Sequence, residues 1–572
     1  MLLKSLQEKE MAETQPIPPV NENYADYIVQ YSKNIHGPME YTSDANFQII
    51  DGNFAVLYVP MAETGPPQIN NYSYNSIPKC YTYMDTEGLN SSGILRLHEQ
   101  PYLRLRGQGT AVAIVDSGID YTHPAFKKGN QTRIAAIWDQ SLPENGTEQV
   151  PYGREFTGEQ IQAALDSGNP GELVPSVDTD GHGTFLAGIA AGSSLPASDF
   201  SGAAPEAEII VVKLKQAKEY LRQFYLIPRD TAAYQENDIM LGIWYAIRKA
   251  RERGRSLAVC IGMGTNLGSH LGGSPLARYM NNATHYTQNV VAVAAGNEGN
   301  TRNHFYGVAG EKEEQVAAEL RVGENTQGFV LELWGQSPRF YSLRIQSPTG
   351  ESHPVAAVRG NGTQKLTFVF VETTIEVSYV AVERESGESL FFCRFIKPAP
   401  GVWQFLVSGE YGQKMPFHLW LPAEPFINAE TYFLQPSPYT TVTDPGNGAD
   451  VITVTAYNDQ DGSLYLGASR GYTASGYVKP DLAAPGVDIL GPDTKGGFTV
   501  RSGTSIAAAQ TAGAAALLFE WAIARENAPF LNGTNVKNYL IRGAARKEEL
   551  TYPNPNWGYG TLDLYRVFEE FL

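Results

Sequence analysis

The chain has 572 residues, enough for a large core and two or three domains. Acidic residues outnumber basic ones 61 to 43, a net charge of −18, which argues against nucleic acid and anionic membranes as partners and mildly favours basic or neutral substrates. No run of about 18 apolar residues is present, which argues against a membrane span, and Cys80, Cys260 and Cys393 form neither a C-x-x-C nor a zinc spacing, so a disulfide framework is not expected.

Taken from the N-terminus, residues 1–20 are polar, carry Pro16, Pro18 and Pro19, and read as disordered. The opening MLLKSLQEKEMAE lacks the apolar stretch of a secretory signal, so a chain that is cytoplasmic, packaged into a spore or released by lysis is expected. Residues 24–60 hold the apolar patches YADYIVQY and NFAVLYVP, read as a small α/β unit with a strand over Phe54–Val59. Ala111–Asp116 (AVAIVD) is an apolar β-run that sets Asp116 at the carboxyl end of a buried strand, the edge where open parallel sheets carry their sites. His123, in DYTHPAF, reads as part of a turn. DTDGHGTFLAG sets His182 ahead of a small-residue helix. Cys260, in LAVCIG, reads as a small buried hydrophobe. VVAVAAGNEGN carries Asn297 and Glu298 in the turn after an apolar run. RSGTSIAAAQTAG puts Ser505 at the start of a long helix rich in Ala and Leu, where free N–H groups and the helix dipole favour a nucleophile.

Asn297 and Ser505 are 208 residues apart, and residues 309–440 account for the excess. They contain GFVLELWG, RFYSLRIQS, KLTFVFVE, IEVSYVAVE, ESLFFCRFI, GVWQFLVSG and PFHLWLPA, short runs rich in Val, Phe, Tyr, Ile and Leu. Most end near Gly, Pro or Asn. They predict an inserted antiparallel β-sandwich of jelly-roll type, either a brace for the rest of the chain or a docking module.

Asp116, His182 and Ser505 occur in the chain order of one known triad arrangement. A serine hydroxyl is a poor nucleophile at neutral pH and needs an adjacent base. His182 would take the Ser505 proton and return it to the leaving amine, and Asp116 would fix the imidazole tautomer. The Asn297 amide and the Ser505 backbone N–H would receive the oxyanion. Each segment alone reads as a turn or an N-cap, but the full set in this order points to one hydrolytic site.

These motifs resemble the subtilisin-like serine proteases (subtilases), over roughly residues 76–305 and 445–565. SGAAPEAEIIVVKL (Ser201–Leu214), KPDLAAPGVDIL (Lys479–Leu490) and WGYGTLDLYRV (Trp557–Val567) are similar to further family segments. The resemblance implies a mostly parallel central sheet and peptide-bond hydrolysis, with Asp116, His182 and Ser505 as triad and Asn297 as oxyanion donor. The family's substrate strand corresponds to Ile261-Gly262-Met263-Gly264, whose backbone can pair with an extended substrate. Glu298 either rims the first subsite and favours a basic or polar residue there, or is a solvated loop carboxylate. The familiar proline and histidine after the serine are Ala509 and Gln510. Calcium is common in the family, but no D-x-D-x-D-G loop supports it here, and no cofactor is expected.

The inserted sandwich and the GTSIAAAQTAG variant are similar to the clostridial Csp spore-germination proteases. That subgroup implies a spore-associated protease that activates the precursor of a spore-cortex lytic enzyme and keeps its cleaved propeptide. On this reading residues 1–75 are a disordered start plus propeptide, 76–308 and 441–572 the two parts of the catalytic domain, and 309–440 the insertion. SIP (Ser76–Pro78) resembles a mature N-terminus, so self-cleavage is expected within Asn70–Asn75. The alternatives are a non-catalytic sensor on the same scaffold and a broad degradative protease.

Overall fold

The computed structural model describes residues 17–31, 46–69, 71–84, 94–99, 103–143, 146–310, 315–336, 340–355, 363–409 and 414–569. An eight-stranded sheet lies at the centre. Its spatial order is Leu482–Pro485, Ile452–Tyr457, Asn289–Ala294, Ser256–Ile261, Thr110–Asp116, Glu208–Lys213, Ile134–Asp139 and Arg154–Thr157. All neighbours are parallel except the last pair, which is antiparallel. The inner strands are largely apolar runs because both faces are covered, unlike the edge strand Arg154–Thr157. Val112, Ile114, Ile209 and Val211 point into one core with the helices His182–Ala191 and Thr504–Phe519. Ala113, Val115, Ile210 and Val212 point into the other, against Glu236–Glu252 and Pro275–His285.

The stretch Thr504–Ala524 is long and apolar enough to cross a membrane, with a mean hydropathy of 1.4, contrary to the reading that no such segment exists. It is a core helix: 89% of that window is buried inside the protein, and every residue of Thr504–Phe519 is buried.

Two antiparallel sheets of six and five strands occupy residues 304–433 and enclose their own core around Leu331, Phe391, Trp403 and Phe405. The expected runs hold strands, although KLTFVFVE is strand only through Thr367 and exposes Val369 and Phe370. Four more strands were not read from sequence: His304–Ala309, Val316–Val322, Ser352–Val355 and Tyr432–Phe433. In Gly328–Gly335 the residues Phe329, Leu331 and Leu333 face this inner core, while Val330 and Trp334 face the other way into a junction with Tyr74, Phe224 and Leu390. Burial on both faces explains a run without alternation.

Near the N-terminus, Tyr24–Gln30, Phe54–Pro60 and Phe47–Ile49 form a three-stranded antiparallel sheet with Phe54–Pro60 in the middle. Helical turns flank it at Pro18–Val20 and Met61–Thr64. The disorder expected for residues 1–20 falls outside the described residues up to 16, whereas Pro19 is buried in a turn. The sheet docks through Asp26, which is fully buried. Its carboxylate receives Lys218 Nζ (2.5 Å), Gln235 Nε2 (2.7 Å) and Asn237 Nδ2 (3.1 Å), and its N–H donates to the Tyr220 hydroxyl (2.7 Å).

Candidate functional site

The three predicted residues meet above the carboxyl edge of the sheet. Asp116 ends its strand, His182 opens one helix and Ser505 is the second residue of another. His182 Nδ1 lies 2.8 Å from Asp116 Oδ1, which also accepts the Ser117 N–H (2.7 Å). This contact needs Gly183: a Cβ there would stand 2.3 Å from the Gly118 carbonyl oxygen, so any side chain would push the histidine helix off the Asp116 loop. His123 is a turn residue as read: its Nδ1 accepts the Ala125 N–H (3.1 Å), and its Nε2 pairs with the Gly497 carbonyl (2.8 Å).

Gly262 lies between His182 and Ser505. A Cβ at this position would lie 3.0 Å from His182 Cε1, 3.1 Å from Ser505 Cβ and 2.5 Å from Leu186 Cδ1. Gly262→Val is therefore expected to shift both side chains and to slow any reaction at Ser505 about 100-fold. Turnover measured beside the melting temperature checks this; an unchanged rate in a folded variant contradicts it.

Asn297 follows the strand Asn289–Ala294, and its orientation is set by Thr504. The Thr504 N–H (3.2 Å) and Oγ1 (3.1 Å) both donate to Asn297 Oδ1, and the Gly296 N–H donates to Thr504 Oγ1 (3.0 Å). With Oδ1 engaged, the Nδ2 donor is the end left for an oxyanion.

Residues Cys80–Tyr83 fill the cleft as the middle strand of a small antiparallel sheet. Tyr83 and Thr82 pair with Met263 and Gly264, while Tyr81 and Cys80 pair with Tyr234 and Gln235. Met84 continues the register: its N–H donates to the Gly262 carbonyl (3.1 Å), and its own carbonyl accepts the Ser505 N–H (3.1 Å). The Tyr83 ring lies 4.5 Å from the His182 imidazole, and its hydroxyl bonds to that of Tyr234. Asp116, His182 and Ser505 are in consequence at most 1% exposed.

Two subsite expectations change. Gly262, Met263 and Gly264 carry the paired backbone, but Ile261 remains the last residue of a central strand with its side chain in the core. Glu298 is neither a charged rim nor a solvated carboxylate. It is 4% exposed, and its Oε2 accepts Asn266 Nδ2 (2.8 Å), Thr301 Oγ1 (2.9 Å) and Asn303 Nδ2 (3.0 Å). Burial pushes its carboxyl up to about 7, against the pull of those donors. A carboxyl raised in the folded state lends stability that is complete below its ordinary value near 4.5 and is lost as pH rises through about 7. Glu298→Gln is thus expected to gain on wild type between pH 5 and 8, by at most on the order of 3 kcal/mol of unfolding free energy. Melting curves at both pH values check this, and a pH-independent difference contradicts it.

The three cysteines are free and buried. Among the described residues no group of three or more His, Cys, Asp or Glu is arranged to hold a metal ion.

The sequence description of the subtilase family, peptidase S8, matches residues 107–319 and 434–560. The CspB protease of Clostridium perfringens has a similar structure, with a TM-score of 0.75 and 33% identity, covering 84% of this chain and 96% of that one. C5a peptidase of Streptococcus pyogenes serotype M6 is 24% identical over 438 residues, 72% of this chain and 34% of its own length. The human membrane-bound transcription factor site-1 protease is 34% identical over 140 residues, 23% of this chain and 12% of that protein. The chain spans about a third or less of these two curated relatives. The family match covers both segments that carry Asp116, His182, Asn297 and Ser505, and the chain belongs to the subtilase family of serine peptidases.

Proposed function

We propose that this chain is a serine endopeptidase that first cuts its own backbone between Met84 and Asp85 and then hydrolyses protein substrates. The observation that carries this reading is the Met84 carbonyl, held 3.1 Å from the Ser505 N–H by a strand in substrate register. Ser505 Oγ attacks that carbonyl carbon while His182 takes the hydroxyl proton and Asp116 holds the imidazole. The oxyanion is received by the Ser505 N–H and Asn297 Nδ2. His182 returns the proton to the Asp85 nitrogen as the C–N bond breaks. Water then hydrolyses the acyl-enzyme by the same steps in reverse.

The expected cut within Asn70–Asn75 gives way in this reading. Asn70 lies outside the described residues, but Tyr74 is 2% exposed, donates to Glu332 Oε1 (2.6 Å) and stands edge-on to Trp334, so this segment is no free linker. The propeptide accordingly extends to Met84. After cleavage it stays in place through Asp26 and through Lys79, whose N–H donates to Glu236 Oε2 (3.1 Å). The two antiparallel sheets of residues 304–433 act as the brace, a jelly roll whose Glu332 joins Tyr74 to the Gly268 N–H (2.9 Å). On this reading the later substrate is a zymogen, such as a spore-cortex lytic enzyme precursor; the likeness to the CspB protease supports the protease activity alone. Sequencing the first residues of the large fragment tests the reading: Asp85 is expected, and a first residue between 70 and 76 overturns it.

A further inference from the structure

Tyr81 stands three residues before Met84 and is fully buried. Its hydroxyl donates to Asp444 Oδ2 at 2.9 Å. Asp444 is itself 4% exposed, so this carboxylate is walled off from water and faces the bound strand. Its position is fixed by backbone: the Asp444 N–H donates to the Thr265 carbonyl and the Thr265 N–H to the Asp444 carbonyl, both at 2.9 Å. Thr265 directly follows Met263–Gly264, the strand that pairs with Tyr83 and Thr82. The carboxylate is thereby held in register with the substrate backbone. Burial pushes the Asp444 carboxyl up, opposed by the charge of Lys79 and by the hydroxyls of Ser274 and Tyr81; the buried Glu236 carboxylate is a further charged neighbour.

The pocket for the residue at the cut adjoins it. Met84 is 2% exposed, and a Cβ on Gly264 would lie 3.1 Å from Met84 Cε and 2.3 Å from Thr443 Oγ1. An unbranched apolar side chain fits this narrow slot between Gly264 and Thr443.

We propose that Asp444 is a specificity-determining residue that selects a tyrosine hydroxyl at the fourth position before the scissile bond, so that this protease cuts extended segments of the pattern Tyr-x-aromatic-Met. The inference rests on the reading that the Met84 carbonyl occupies the acyl position. A site built to bond a hydroxyl rejects the analogue lacking it, because its own buried group is left unpaired. Phenylalanine fills the same volume but offers Asp444 no donor.

The test is the first-order rate of self-cleavage after Met84, followed by intact mass, in the full chain. Tyr81→Phe is expected to slow it roughly 10- to 100-fold. Asp444→Leu is expected to slow the chain that keeps Tyr81 and to be rescued by Tyr81→Phe, the two changes being strongly non-additive. That rescue separates selection from a merely structural role. If Asp444→Leu does not fold, Asp444→Ala, which also removes the acceptor, replaces it in the same cycle. Equal rates for wild type and Tyr81→Phe, or additive effects, overturn the inference while leaving the cut at Met84 intact. A wild-type chain that is never cut there overturns the underlying reading, and this inference with it.

Discussion

Asp26→Ala is expected to release the cleaved N-terminal segment. Asp26 is fully buried and meets Lys218, which is also buried, at 2.5 Å. Burial pulls the Lys218 pKa down, and Asp26 is the first of the groups that oppose this. Removing the carboxylate leaves the ammonium with the Pro18 and Tyr24 carbonyls (2.9 and 3.3 Å) and strips an acceptor from Gln235 and Asn237. Breaking a buried ion pair from one side costs about 3–5 kcal/mol, or roughly 10²- to 10³-fold or more in affinity. The cleaved variant should separate into two species on size exclusion, and its exposed Ser505 should react with a fluorophosphonate. Asp26→Asn keeps the shape and one acceptor and should lose less. Co-elution of the Asp26→Ala fragments with wild-type affinity contradicts the assignment.

His182→Ala is expected to abolish self-cleavage. Loss of the base from a triad of this kind lowers the rate by about 10⁶-fold. The fold should survive, because His182 sits at the first position of its helix and the helix core is carried by Phe185, Leu186 and Ile189. Conversion of purified protein over days is the readout; cleavage within a hundredfold of the wild-type rate would show that His182 is not the base.

The meeting of Asp116, His182 and Ser505 was legible because close approach of their elements leaves local marks. Gly183 is required by the approach of one helix to the Asp116 loop, and Gly262 by the gap between His182 and Ser505, so glycine and small residues surround each functional side chain in sequence. The parallel sheet was legible for a similar reason, since strands covered on both faces read as unbroken apolar runs. Met84 left no such mark. Cys80–Met84 is an ordinary short apolar run, and only tertiary register decides which of its carbonyls reaches the Ser505 N–H. Glu298 was misplaced because its partners come from Asn266, 32 residues away, as well as from the nearby Thr301 and Asn303. Three of the four missed sandwich strands lie at sheet edges, and the fourth, Val316–Val322, alternates buried residues with charged or small ones. Tyr306 and Val308 in His304–Ala309 face solvent, and Ser352–Val355 contains a proline, so neither shows the apolar density of the central strands.

Everything proposed for this chain depends on Ser505 cutting its own backbone. Intact mass of the purified wild type beside Ser505→Ala tests that most directly. Wild type should run as two fragments ending and beginning at Met84 and Asp85, and the variant should stay whole. Two whole proteins, or two that split alike, would contradict it.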